Sequence, residues 1–201
     1  MPAAKPRAWP SSRHALLELG EARVRAFCLA NKLPIPPITP AGKEEWPFDA
    51  CAYYRPRTGI VICVEHCARP AGEEQSRNWS WPGSKTDRTP YGVVAHELGH
   101  HLDWLMGGQK GSYWSDFGAG LRRISREEPI SGYCPNDAEW FAEMARLFIT
   151  NATLLAALRP LTYAVFLGAG LRPVSPARWR EQLGSNVPAR VARSLVNMGA
   201  P

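Results

Sequence analysis

Thr89-Pro-Tyr-Gly-Val-Val-Ala-His-Glu-Leu-Gly-His-His-Leu-Asp103 reads as a capped helix that carries chemistry on one face. Thr89 is a good N-cap, and Pro90 suits the first helical position, where a missing N–H is not needed. Val93, Val94, Leu98, Leu102 and Leu105 recur at three- and four-residue steps and predict a buried face, with Gly107-Gly108 as the stop. Inside this helix lies His96-Glu97-Leu98-Gly99-His100, the H-E-x-x-H pattern. Residues four apart stand one turn above one another on the same face. His96 and His100 can therefore present imidazole nitrogens to one Zn²⁺, at about 2.0–2.1 Å. Glu97, one step round from His96, is placed to reach a water at that metal without binding the metal itself. Chance alone yields the pattern in roughly one chain in a hundred of this length, so its helical context and a third ligand must carry the argument. His101 lies off the His96/His100 face and is expected at the surface or behind the ligands.

Around this helix the composition is that of an ordinary soluble globular protein. The chain has 201 residues, 45% hydrophobic and 21% charged, enough for one domain with a fair-sized core. It holds no apolar run of about 18 residues, so no membrane span is expected. Met1-Pro-Ala-Ala-Lys-Pro-Arg7 has no apolar segment behind it and does not resemble a secretion signal, which makes a cytoplasmic location the expectation. The five cysteines (Cys28, Cys51, Cys63, Cys67, Cys134) form no C-x-x-C pair and are expected to be reduced thiols. The net charge of +6 is spread rather than gathered in a basic run, so nucleic acid is a weakly supported partner.

Upstream, residues 11–33 read as a helix capped by Ser11 or Ser12, interrupted in pattern by Gly20. Pro34-Ile-Pro-Pro-Ile-Thr-Pro40 cannot be helical and is expected to be an extended connector. Residues 50–54 and 59–65 flank Arg55-Pro-Arg-Thr58 and predict a hairpin, in which Ile60, Ile62 and Val64 alternate with Val61, Cys63 and Glu65. Centring that hairpin near Arg57 sets Cys51 opposite Cys63. A small metal site from Cys51, Cys63, His66 and Cys67 is conceivable, but buried cysteines are the favoured reading. Trp79 and Trp81, in the loop before the H-E-x-x-H helix, either line a substrate pocket or anchor the loop.

Downstream, residues 114–126 predict a helix with Phe117, Leu121 and Ile124 on one side. A strongly amphipathic helix follows from Asn136 to about Leu158, then an apolar segment at 161–167 and a basic helix near 188–197. A catalytic zinc site needs a third protein ligand and an open position. The H-E-x-x-H-x-x-G-x-x-H arrangement is excluded, because Asp103 and Met106 stand at its later positions. Glu139 and Glu143 are the candidates. They are four apart on one helical face, so one can bind metal while the other supports a ligand histidine. Glu139 also suits a capping box with Asn136, and Glu143 a solvent-facing charge. Trp140, Phe141, Met144, Leu147 and Phe148 nevertheless put much of this helix in the core, where unpaired carboxylates are costly.

His96-Glu-Leu-Gly-His100 with Asp103, followed by Tyr133 and Asn136-x-x-Glu-Trp-Phe-Ala-Glu143, resembles the gluzincin metallopeptidases. It is similar to the catalytic domain of anthrax lethal factor and to small metallopeptidase-like proteins of phage and prophage, over roughly residues 50–150. The resemblance implies an α+β, zincin-like fold, with a small mixed or antiparallel sheet packed on the H-E-x-x-H helix and the glutamate helix. It implies that His96, His100 and Glu139 bind Zn²⁺, that Glu97 is the general base, and that Glu143 and Asp103 support the ligands. Tyr133 would match the tyrosine that hydrogen-bonds the oxyanion, although its spacing to Glu139 is one residue shorter than in the family. The hairpin would supply the sheet edge along which an extended peptide substrate lies.

On that reading, residues 1–40 are a helix and connector, 41–158 the catalytic core, and 159–201 a basic helical extension packed on it. The expected activity is zinc-dependent hydrolysis of a peptide or protein. The rival expectation is a non-catalytic interaction module that keeps the same scaffold and binds nucleic acid or an acidic partner. Neither substrate nor oligomeric state is legible in the chain.

Overall fold

A computed structural model describes residues 12–48, 50–68, 87–107, 116–131, 133 and 136–174. Trp79, Trp81, Cys134 and the 188–197 segment lie outside these described residues. The architecture is α+β and mostly helical. Helix α1 spans Arg13–Ala30 and strand β1 Ile38–Pro40; β2 (Ala52–Arg55) and β3 (Gly59–Ile62) form the hairpin. Helix α2 follows at Pro90–Met106, then α3 at Asp116–Ser125, α4 at Asp137–Thr150, α5 at Ala152–Leu158 and α6 at Pro160–Gly168. No helix among the described residues is long and apolar enough to cross a membrane.

Helix α2 starts where the cap chemistry places it. Thr89 is extended and its side chain accepts from Gly92 N–H, while the buried Asp87 carboxylate accepts from both the N–H and the hydroxyl of Thr89, at 2.9 and 2.8 Å. The expected single buried face is an underestimate: every residue from Pro90 to Asp103 is buried. The reason is that α1, α4 and the hairpin pack around α2 on different sides. Two glycines permit this crowding. A Cβ on Gly20 would lie 3.2 Å from the Tyr91 Cα, which is why the α1 pattern is interrupted there. A Cβ on Gly99 would lie 2.6 Å from the Ala142 Cα and 2.9 Å from its carbonyl oxygen, both backbone atoms that cannot swing aside. Gly99→Ala is therefore expected to destabilise the fold by about 1–3 kcal/mol despite its better helix propensity. Urea denaturation checks this, and an unchanged or higher midpoint would sink it.

The sheet has the order β1-β3-β2, with β1 parallel and β2 antiparallel to β3. The predicted hairpin register holds: Ala52 faces Ile62, and Cys63 N–H donates to Cys51 C=O at 2.9 Å. The proline-rich connector is more than a connector, since its end forms β1, pairing Ile38 with Ile60. Prolines 37 and 40 fit because this is an edge strand. Antiparallel pairs alternate between hydrogen-bonded and non-bonded. With Cys51 and Cys63 bonded, Ala52 and Tyr54 turn their backbone groups to the open edge of β2, and their side chains inward.

Two expectations about the later helices need correction. The long helix to Leu158 breaks at Asn151, whose side chain accepts from Leu154 N–H and starts α5. Asn competes for local backbone groups and so ends one helix and caps the next. In α3, Leu121 is buried but Ile124 is 71% exposed, so the apolar stripe runs one turn past the packing surface. The 161–167 segment is the body of α6. Arg23, from α1, donates to Ile149 C=O and Val174 C=O, which ties the N-terminal helix to the chain beyond α6.

Candidate metal centre

Helix α2 contributes His96 and His100, and α4 contributes Glu139 and Glu143. Their side-chain ligand atoms converge. His96 Nε2 lies 3.0 Å from Glu139 Oε2, and His100 Nε2 lies 3.6 Å from Glu139 Oε1. The ligand atoms of His96, His100 and Glu139 all fall within 4.8 Å of one another, so this group could hold a metal ion. Among the described residues it is the one such cluster of His, Cys, Asp or Glu. The cysteines near the hairpin accordingly form no second one, and the four described cysteines are free and buried.

Glu139 combines both readings of its position. Its backbone N–H donates to the Asn136 cap at 3.0 Å, while its carboxylate reaches the two histidines. Hydrogen bonding to His100 and His96 holds the Glu139 carboxyl far below the usual range, against a burial that alone would raise it. Glu143 is fully buried and not solvent-facing. One of its oxygens takes His96 Nδ1 at 2.8 Å. With Nδ1 donating to Glu143, Nε2 is the nitrogen that faces Glu139 and the ion position, where a bound ion would take the place of its proton.

Sequence reading missed what holds Glu143 in turn. Arg146 grips it with Nε at 2.9 Å and a second nitrogen at 3.1 Å, and the Ser131 hydroxyl donates at 2.5 Å. Arg146, three residues after Glu143 in an otherwise apolar run, carried a readable signal, because such neighbours meet on a helix. Ser131 carried none. The loop bearing Ser131 is fastened to the C-terminal helices: the Glu127 carboxylate accepts from the first N–H groups of α6, and Arg159 donates to Glu128 and Pro129 carbonyls. Burial would lower His96, but Glu139 and Glu143 outweigh it and lift the imidazole to about 10. The group therefore strongly favours positive charge at this point.

Glu97 is 6% exposed, and its Oε2 has no hydrogen-bond partner among the described residues. Burial raises its pKa, opposed by the charges of His100 and His96, and it accepts a backbone hydrogen bond from Tyr54 on the open edge of β2. Tyr133 is 51% exposed, with its ring 5.8 Å from that of His96. Burial, reinforced by the Glu139, Glu97 and Glu143 charges, pushes its hydroxyl up to about 12. Asp103 is buried and accepts Gly118 N–H at 2.9 Å, binding the start of α3 to α2.

Of the two places expected for His101, the surface is excluded. The residue is 5% exposed, with Nδ1 2.9 Å from the Tyr54 hydroxyl and Nε2 3.2 Å from Pro34 C=O. A carbonyl only accepts, so Nε2 carries the proton and Nδ1 accepts from Tyr54. This neutral histidine, its pKa lowered by burial, locks α2 to β2 and to the chain entering β1.

Together these observations define an α+β, mostly helical protein whose central helix carries two histidines of a His96, His100 and Glu139 group able to hold a metal ion. No family model matches the chain, and neither does any curated protein or solved structure.

Proposed function

We propose that the chain is a zinc-dependent metallopeptidase of the gluzincin type, built on a zincin-like fold. The observation that carries this reading is Glu97: a buried carboxylate on the turn between the two histidines, with one oxygen unengaged. A purely structural metal site would have no use for it. Two imidazoles and one carboxylate also suit zinc, and three protein ligands leave a position open, as catalytic sites require. When bound, zinc supplies a Lewis acid and lowers the pKa of a water at the site.

The residues of the chain do the rest. Glu97 takes a proton from the attacking water and passes it to the leaving amine, a task favoured by a carboxyl that burial raises above its ordinary value. Tyr133 stays protonated throughout the neutral range and donates to the oxyanion that develops on the scissile carbonyl. Glu143 and Asp103 keep α2 and its ligands in place. The open edge of β2, with Tyr54 N–H directed at Glu97, supports an extended peptide as the substrate.

Elemental analysis of wild type and His100→Ala, paired with cleavage of a peptide library, tests the proposal. The expected result is about one zinc per wild-type chain, little in His100→Ala, and cleavage only in the wild type. Wild-type chain that binds no divalent metal would overturn it. Zinc without cleavage would move the reading to a binding module.

A further inference from the structure

The proposed hydrolysis makes no use of the cysteines around the hairpin, yet two of them are arranged for chemistry of their own. Cys51 immediately precedes β2 and lies with its thiol 3.2 Å from the carbonyl oxygen of His66, the residue bonded to Cys67. The chain turns back at that point: Cys67 N–H donates to Val64 C=O at 3.2 Å, and its thiol sits 3.5 Å from Cys63 C=O. Both thiols therefore meet at the same turn, where each acts on the other. Cys63, although paired with Cys51 through the backbone, turns its thiol to the Glu65 carboxylate at 3.6 Å.

The two thiols are not equivalent. Cys51 is 8% exposed and Cys67 1%. The neighbouring Cys67 side chain, aided against burial by the Arg88 guanidinium, pulls Cys51 down to about 7. The neighbouring Cys51 side chain, with burial, pushes Cys67 up. An attacking thiol within reach of an oxidant and a second thiol close behind it are the two roles a dithiol oxidation needs, and the exposures put Cys51 in the first and Cys67 in the second.

We propose that Cys51 and Cys67 form a dithiol oxidation site, converted by a peroxide-class oxidant to a Cys51–Cys67 disulfide. The Cys51 thiolate attacks one peroxide oxygen, the O–O bond breaks, and the released hydroxide takes up the proton that Cys51 had lost. The resulting sulfenic acid is attacked by the Cys67 sulfur. The S–S bond forms, the S–OH bond breaks, and hydroxide leaves with the Cys67 proton as water. Two thiols and one peroxide become one disulfide and two waters. The crosslink closes a loop that contains the whole β2–β3 hairpin. Because Ala68 N–H donates to Arg88 C=O at 2.8 Å, it also ties that hairpin to the entry of α2.

The test uses the full chain, treated with a few equivalents of hydrogen peroxide, alkylated, digested and mapped by mass. Two of the five thiols should be lost to alkylation, in one Cys51–Cys67 linked peptide that a dithiol reductant opens. Without oxidant, Cys51 should alkylate at neutral pH at least about tenfold faster than Cys28, which is fully buried and raised to about 12. Cys63→Ser should retain the linkage and Cys51→Ser should abolish it. A Cys51–Cys63 link, a mixture of pairings including Cys134, Cys51 oxidised alone beside a free Cys67, or five unreacted thiols would each overturn the proposal. The wild-type map decides the matter even where a serine variant folds poorly.

Discussion

Glu97→Gln is expected to lower peptide hydrolysis by about 10²–10⁴-fold, the range for losing a general base, and to leave metal content unchanged. The substitution keeps the shape of the side chain and an oxygen for the Tyr54 N–H. It removes only the ability to accept a proton. Because Glu97 contributes no atom to the His96, His100 and Glu139 group, elemental analysis should not separate variant from wild type. Stability offers a second readout. A carboxyl whose folded pKa stands above its ordinary 4.5 costs stability once pH rises past the unfolded value. Glutamine carries no such cost, so the variant should equal or exceed wild type in urea at neutral pH. Glu97→Gln that still hydrolyses peptide at the wild-type rate would remove Glu97 from the mechanism.

Arg146→Met is expected to destabilise the chain by about 3–5 kcal/mol, because it strands a buried carboxylate without its cationic partner. Glu143 and Arg146 are 0% and 2% exposed, so solvent cannot take over the lost contacts. Unfolding should be accompanied by weaker metal binding, since Glu143 holds His96 Nδ1 at 2.8 Å. The double variant Glu143→Leu/Arg146→Met separates the two effects. Replacing both charges by apolar groups should return much of the stability. It should leave metal affinity reduced by about 10–100-fold, because His96 then lacks the partner that fixes its ring. Urea denaturation and chelator competition measure the two quantities. Wild-type metal affinity in the double variant would show that Glu143 has no positioning role.

Much of the framework was legible because its causes are local. Thr89 and Pro90 start α2, and Asn136 starts α4, each through a side chain or ring acting within its own turn. The hairpin register followed from period-two alternation about a four-residue turn, and it set Cys51 beside Cys63 as expected. Helical spacing paired His96 with His100, the need for a third ligand left Glu139 and Glu143 as candidates, and the resemblance pointed to Glu139, which is the one that joins the two histidines. Asn151 shows the limit of local reading: the apolar pattern runs through it, while its side chain caps a new helix.

The order and spacing of the chemistry-bearing residues were therefore set by the sequence itself, because helix caps, turn residues and side-chain periods act over a few positions. Tertiary structure alone decided the surroundings. It placed Ile38–Pro40 in the sheet, buried His101 between Tyr54 and Pro34, and brought Ser131 and Arg146 onto Glu143. It also pressed Gly99 against Ala142, the contact that sets how closely the glutamate helix approaches the histidines. Each of these depends on where distant segments meet when the core closes, and packing against a partner leaves no period in the chain to read.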